Sequence, residues 1–143
     1  MLGGVGLGAL DFGIGYHDGA AVSIGTLLRP KGPHRFGFAV DVGTSGQPTS
    51  VGGGYSFVSQ QVMFAVDVSR PVKNGGSATQ LTPGIEISAD MFAFSLDYDT
   101  YLGNKGSHSS QFWFGAGVNL PRLHIALYHN YVSDWTVTVA FRL

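Results

Sequence analysis

Five carboxylic acids recur in this sequence within short segments where large apolar residues alternate with small or polar ones. They are Asp11, Asp41, Asp67, Glu86 and Asp97. In RFGFAVDVG at 35–43, the apolar residues occupy every second position and Asp41 falls in the other row, among Gly and Ala. Carboxylates gathered in one zone could attract cations, as in a selectivity ring, or could pair with hydroxyl and basic groups in a wet interior. Which chemistry applies depends on the elements that hold these acids.

The two-residue alternation is nearly continuous and predicts an all-β chain, because alternate side chains of a strand point to opposite faces. We expect one domain over 1–143, built as an antiparallel up-and-down β-barrel of about ten strands, with eight as the alternative. The predicted strands are about 5–16, 20–29, 35–43, 50–58, 61–70, 80–88, 91–101, 111–120, 123–131 and 135–143.

The predicted connections alternate along the chain between mostly tight turns and mostly longer, glycine-rich loops. SQQ at 59–61 and AD at 89–90 represent the first kind, and PVKNGGSAT at 71–79 represents the second. This alternation is typical of a meander whose two termini lie at the short-turn end. Pro83 falls inside the sixth strand and has no N–H for a ladder, so we expect it at the outer end of that strand or at a bulge.

Composition excludes several functional classes. The 143 residues include 22 glycines and no cysteine, only 12% are charged, and the net charge is −1. There is no basic run to bind nucleic acid and no thiolate or disulfide chemistry. We expect no cofactor and no metal site, partly because His124 and His129 are five residues apart and should face opposite sides of one strand. The protein is expected not to be an enzyme.

The apolar row would be the core of a soluble sandwich or the lipid-facing surface of a membrane barrel. A soluble sheet displays Lys, Glu, Arg and Thr to water, whereas the polar row here is mostly Gly, Ala and Ser with a few acids. A membrane barrel places such a small polar row inside and the apolar row against lipid. The second interpretation is favoured, and the soluble all-β domain stays the alternative.

The last predicted strand, WTVTVAFRL at 135–143, is apolar at alternate positions up to the final residue. It resembles the C-terminal assembly signal of small bacterial outer-membrane β-barrel proteins, a porin-like class, although Leu143 stands where Phe is usual. The resemblance covers nine residues and implies a Gram-negative outer membrane, periplasmic termini and outer-membrane assembly machinery as a partner during biogenesis. We therefore expect the sequence to be a mature form, without its export signal.

In this orientation the five acids lie at a similar distance from the longer loops, which predicts an acidic belt in the lumen. Basic residues collect toward the periplasmic side: Arg29, Arg35, Arg122 and Arg142. The belt serves either to pair with polar groups in the interior or to select cations, and both interpretations stay open.

Aromatic side chains supply most of the predicted contact with lipid or with another subunit. They are Phe36, Phe38, Phe64, Phe92, Phe94, Phe112, Trp113, Phe114, Trp135 and Phe141. Three of them, at 112–114, make one strand apolar on both faces, which predicts a homo-oligomer. The expected function is a structural or membrane-organising barrel, with a small conduit for ions or solutes as the alternative.

A third and more remote alternative is a hydrolase or acyltransferase at the outer rim. His17 and Asp18 fall in one predicted loop, Asp99 lies near another, and His108 stands between two serines. These residue types could form a Ser/His/Asp set, but nothing in their spacing brings them together.

Overall fold

The structure is a computed structural model that describes residues 11–16, 20–28, 32–44, 48–74, 76–103, 109–131 and 135–142. It contains ten strands: β1 (Asp11–Tyr16), β2 (Ala20–Leu28), β3 (His34–Gly43), β4 (Thr49–Ser59), β5 (Val62–Lys73), β6 (Thr79–Ala89), β7 (Phe92–Leu102), β8 (Gln111–Asn119), β9 (Leu123–Asn130) and β10 (Trp135–Arg142). Among the described residues, no helix is long and apolar enough to cross a bilayer.

The strands form one curled antiparallel sheet, so the predicted all-β antiparallel meander is confirmed. Each strand is hydrogen-bonded to its neighbours in sequence, and β1 also pairs with β10, so the order of pairing closes on itself. Asp11 and Arg142 are register partners across this junction. A sheet without a free edge leaves no row of unpaired backbone groups at its sides.

The connections differ between the two ends of the sheet. Two residues join β4 to β5 and two join β6 to β7, and we call this side the short-turn end. Gln60 and Asp90 begin these turns with φ angles of 52° and 54°. The connections at 44–48, 74–78 and 103–110 lie at the opposite, long-loop end. The predicted alternation of connections therefore holds for these loops.

Large apolar side chains are on the outside of this sheet. Phe38 is 55% exposed and Phe114 is 57% exposed, and the same face carries the other exposed apolar residues of β3 to β10. The opposite face carries Gly, Ala, Ser, Thr and acids, and most of the buried residues lie there. We call these two faces the outer row and the inner row.

The expectation for Pro83 is wrong. Pro83 lies inside β6 rather than at its end, and no bulge accommodates it, since the register is the same at Leu81–Thr100 and at Gly84–Asp97. The β6–β7 pairing instead omits residues 82 and 83. Proline has no backbone N–H to donate, so the ladder is interrupted there without a change of register.

Glycines of the inner row make room for the side chains of neighbouring strands. A Cβ atom on Gly115 would lie 2.6 Å from Cε1 of Tyr128, whose ring is buried against this position. Likewise, a Cβ on Gly54 or Gly84 would collide with the carboxylate of Asp67 or Asp97. The small residues of the inner row are therefore required by close approach.

We predict that Gly115→Ala lowers the free energy of unfolding by about 1–3 kcal/mol, the usual cost of overpacking. The Tyr128 ring is enclosed and cannot move away from the added methyl group. Gly76→Ala is the matched control, because a Cβ there meets nothing within 4 Å, and it should change stability by less than about 0.5 kcal/mol. Denaturant unfolding in detergent micelles measures both, and equal effects would contradict the steric argument.

Candidate functional site

The candidate site is the inner row of β5 to β9, where the acids collect. Asp67 on β5 is the register partner of Thr82 on β6, and Asp97 on β7 is the register partner of Gly84. Asp97 interacts electrostatically with Asp67, Glu86 and Asp99. The fold thus brings three acids of the predicted belt close to one another, together with a fourth acid that the belt did not include.

Asp41 belongs to a different part of the inner row. It lies on β3, is half-buried, and accepts a 3.3 Å hydrogen bond from the Ser50 hydroxyl on β4. Asp11 is placed by its position in β1, and its side chain lies outside the described part of the structure. Among the five predicted acids, the described interactions bring together Asp67, Glu86 and Asp97.

Asp99 accepts two hydrogen bonds, one from a side chain on each of the adjacent strands. It is buried, and Oδ1 accepts a 2.7 Å hydrogen bond from the Thr82 hydroxyl on β6. Oδ2 accepts a 2.9 Å hydrogen bond from Nε1 of Trp113 on β8. Hydrogen bonds to an ionised group are stronger than those between neutral groups. We call Thr82, Asp99 and Trp113 the latch.

The latch crosses the place where the backbone ladder is interrupted. Thr82 is one of the two residues omitted from the β6–β7 pairing, and its side chain reaches Asp99 on β7 instead. Gln80 donates a 3.3 Å hydrogen bond to the Thr82 hydroxyl from the same face of β6. Side chains on the inner face therefore tie three strands together where Pro83 weakens the backbone pairing.

The predicted contact of Trp113 with lipid or another subunit is wrong. Trp113 is only 3% exposed and its ring points to the inner face. Its neighbours Phe112 and Phe114 are exposed on the outer row, as strict alternation requires. An indole has one N–H donor, and burying it beside Asp99 satisfies both groups.

The other predicted contact residues of the outer row are exposed. They are Phe36, Phe38, Phe64, Phe92, Phe94, Phe112, Phe114, Trp135 and Phe141. Aromatic pairs lie near both ends of this row. At the long-loop end, Trp135 stacks on His129 with ring centroids 4.1 Å apart. At the short-turn end, Nδ1 of His34 and the Tyr55 hydroxyl share a 2.8 Å hydrogen bond.

The basic residues are divided among different environments. Arg35 is half-buried at the start of β3, and its guanidinium donates hydrogen bonds to the carbonyl oxygens of Gly32 and His34 at 2.6 and 2.7 Å. Arg122 is exposed in the turn between β8 and β9. Both lie at the short-turn end. Arg29 lies outside the described residues, as does the side chain of Arg142.

The interior beside Glu86 is nearly filled. A cavity of about 10 Å³ is bordered by Glu86, Ser95, His124 and Tyr128, and small residues complete its wall. That volume accommodates about one water molecule. His124 is buried on the inner row and His129 stacks on Trp135 on the outer row, so these two side chains are on opposite faces.

Most of the residues considered for an outer-rim hydrolase or acyltransferase lie outside the described part of the structure. His17, Asp18 and His108 lie outside the described residues, and Asp99 is turned inward into the latch. Within the described ranges, no three His, Cys, Asp or Glu side chains are grouped so as to hold a metal ion. No protein-family model matches this chain, and no curated protein matches its sequence.

We predict that Thr82→Val destabilises the protein by about 1–3 kcal/mol, because the buried Asp99 carboxylate loses one of its two described donors. Thr49→Val is the matched control at the start of β4, and it should cost less than about 0.5 kcal/mol. Trp113 touches Asp99, so its fluorescence reports unfolding directly. A loss no larger than that of the control would show that the Thr82 hydrogen bond contributes nothing.

Proposed function

We propose that this protein is an integral outer-membrane β-barrel, closed and membrane-spanning, with both termini on the periplasmic side. Its role is structural or membrane-organising, and it acts as a homo-oligomer in contact with lipid. The observation that carries the proposal is the outer row, whose large apolar side chains are exposed from β3 to β10. Soluble monomers rarely expose so extensive an apolar surface.

The length of the outer row supports a bilayer as the medium around it. On β3, four apolar residues from Phe36 to Val42 lie between the polar residues His34 and Thr44. The ten residue steps from His34 to Thr44 correspond to about 33 Å along a strand. At the roughly 40° tilt of membrane strands this becomes a height of about 25 Å, which is that of the apolar band of outer-membrane barrels.

The ends of the outer row support the same medium. His34 and Tyr55 at one end, and His129 and Trp135 at the other, combine an apolar ring with a polar atom. Such side chains favour the boundary between hydrocarbon and water, where aromatic girdles border the apolar band of membrane barrels. The short turns at one end and longer loops at the other agree with the proposed periplasmic and external sides.

An ion conduit is the second candidate. The observation that favours it is the row of inner carboxylates, from Asp41 on β3 through Asp67 and Asp97, which would attract cations. The buried side chains and small cavity beside Glu86 favour the structural role instead, because they leave little room for a solute in that part of the interior. Current carried by the native protein would favour the conduit.

The two tryptophans allow a direct test of lipid contact. Trp113→Phe leaves Trp135 as the sole tryptophan, on the outer row, and Trp135→Phe leaves Trp113, on the inner row. In vesicles of brominated phosphatidylcholine, we expect strong fluorescence quenching of Trp135 and weak quenching of Trp113. Non-brominated vesicles are the control. Equal quenching would contradict the assignment of the two faces, and no quenching of either would contradict membrane insertion.

We predict that the mass of the protein in a mild detergent is an integral multiple of the chain mass. Phe112 and Phe114 remain exposed on β8 and offer a flat apolar contact to another copy. Light scattering coupled to size exclusion measures this mass, with a strongly denaturing detergent as the control that returns single chains. A monodisperse single chain in mild detergent would contradict the homo-oligomer.

A further inference from the structure

Buried side chains occur on the inner row of every strand from β6 to β9. Asn130 is fully buried, Tyr128 is 2% exposed and Trp113 is 3% exposed. Toward the short-turn end, Glu86 and His124 are also buried. These residues lie on four adjacent strands, so the burial extends along the interior rather than being confined to one level.

Two rings supply most of the bulk on this face. A ten-stranded barrel is wider than the eight-stranded size that side chains just fill, so small residues alone leave space. Around the rings the inner row is small, with Ala93, Gly117 and Ala126. The Tyr128 ring packs over Gly115, since a Cβ at that glycine would lie 2.6 Å from its Cε1 atom. Trp113 is the larger ring.

Hydrogen bonds, in addition to packing, hold Trp113 in place. Its Nε1 donates to Asp99, which is held in turn by Thr82. On its other side, Trp113 is the register partner of Asn130, whose amide donates a 3.0 Å hydrogen bond to Gln111. The ring therefore sits within a layer of buried, hydrogen-bonded groups drawn from β6 to β9, near the long-loop end.

We infer that Trp113 seals the barrel interior near the long-loop end and that the latch with Asp99 and Thr82 holds the seal shut. The inference rests on the proposed membrane barrel and adds a specific residue to it. Removing the ring opens a water-filled path past the inner carboxylates. Weakening the latch while keeping the ring allows the ring to swing aside for part of the time.

The test is the current through planar bilayers, expressed per inserted protein. We expect Trp113→Ala to carry at least tenfold more current than the native protein. Phe57→Ala is the matched control, since it removes an aromatic ring from the outer face of β4, away from Trp113 and from the proposed subunit contact, and should stay within twofold of the native protein. In Trp113→Ala, Trp135 is the sole tryptophan, so its quenching by brominated lipid reports insertion independently.

The outcomes are distinct. Trp113→Ala that inserts yet carries no more than twice the native current overturns the seal, and so does a native protein that already conducts like the variant. Absence of Trp135 quenching in the native background, with Trp113 replaced by Phe, counts against the membrane barrel itself. If Trp113→Ala does not insert, Asp99→Leu decides, because leucine has a similar branched shape and can accept a hydrogen bond from neither donor. We expect at least threefold more open events, and an unchanged frequency overturns the inference.

Discussion

The exposure of the apolar row is the constraint on which the rest of this structure depends. With Phe36, Phe38 and their equivalents outside, the polar half of every strand is turned inward. In the proposed bilayer, no free sheet edge could face the lipid, because unpaired backbone groups are costly in hydrocarbon. The closure of β1 on β10 and the unshifted register across Pro83 both satisfy this requirement. Where the backbone ladder fails, polar side chains of the inner face connect the strands.

The interior meets a second requirement, which is to make room for its acids. Asp67 and Asp97 each lie over a glycine of the preceding strand, Gly54 and Gly84, where any larger residue would displace the carboxylate. Asp99 is satisfied differently, by a hydroxyl and an indole N–H on the two adjacent strands. Burying a charge is costly unless hydrogen bonds compensate it. The small residues and the acids are thus two parts of one arrangement.

Alternation in the sequence was sufficient to predict the strands, their order and the face on which the apolar residues lie. It was also sufficient, if applied strictly, to place Trp113 with Gly115 and Asp99 with Asp97 on the inner row. Trp113 was counted among the lipid or subunit contacts because its hydrophobicity was weighed above its position in the alternation. The hydrogen bonds of Asp99 could not be predicted, because they depend on the register between β6, β7 and β8 and on side-chain rotamers. Pro83 was misplaced because a missing ladder bond can be tolerated without a bulge.

The interior is asymmetric, and this bears on the choice between the two functions. The inner row of β3 to β5 is mostly small residues with Asp41 and Asp67, whereas that of β7 to β9 carries the buried Trp113, Tyr128 and Asn130. A conduit would therefore run beside β3 to β5, where carboxylates would face the passing ion. The structural role requires only that the filled side keep the barrel rigid. The same fold could serve either function. A conduit requires an open path past the ring of Trp113 on the side of β3 to β5, whereas the structural role does not.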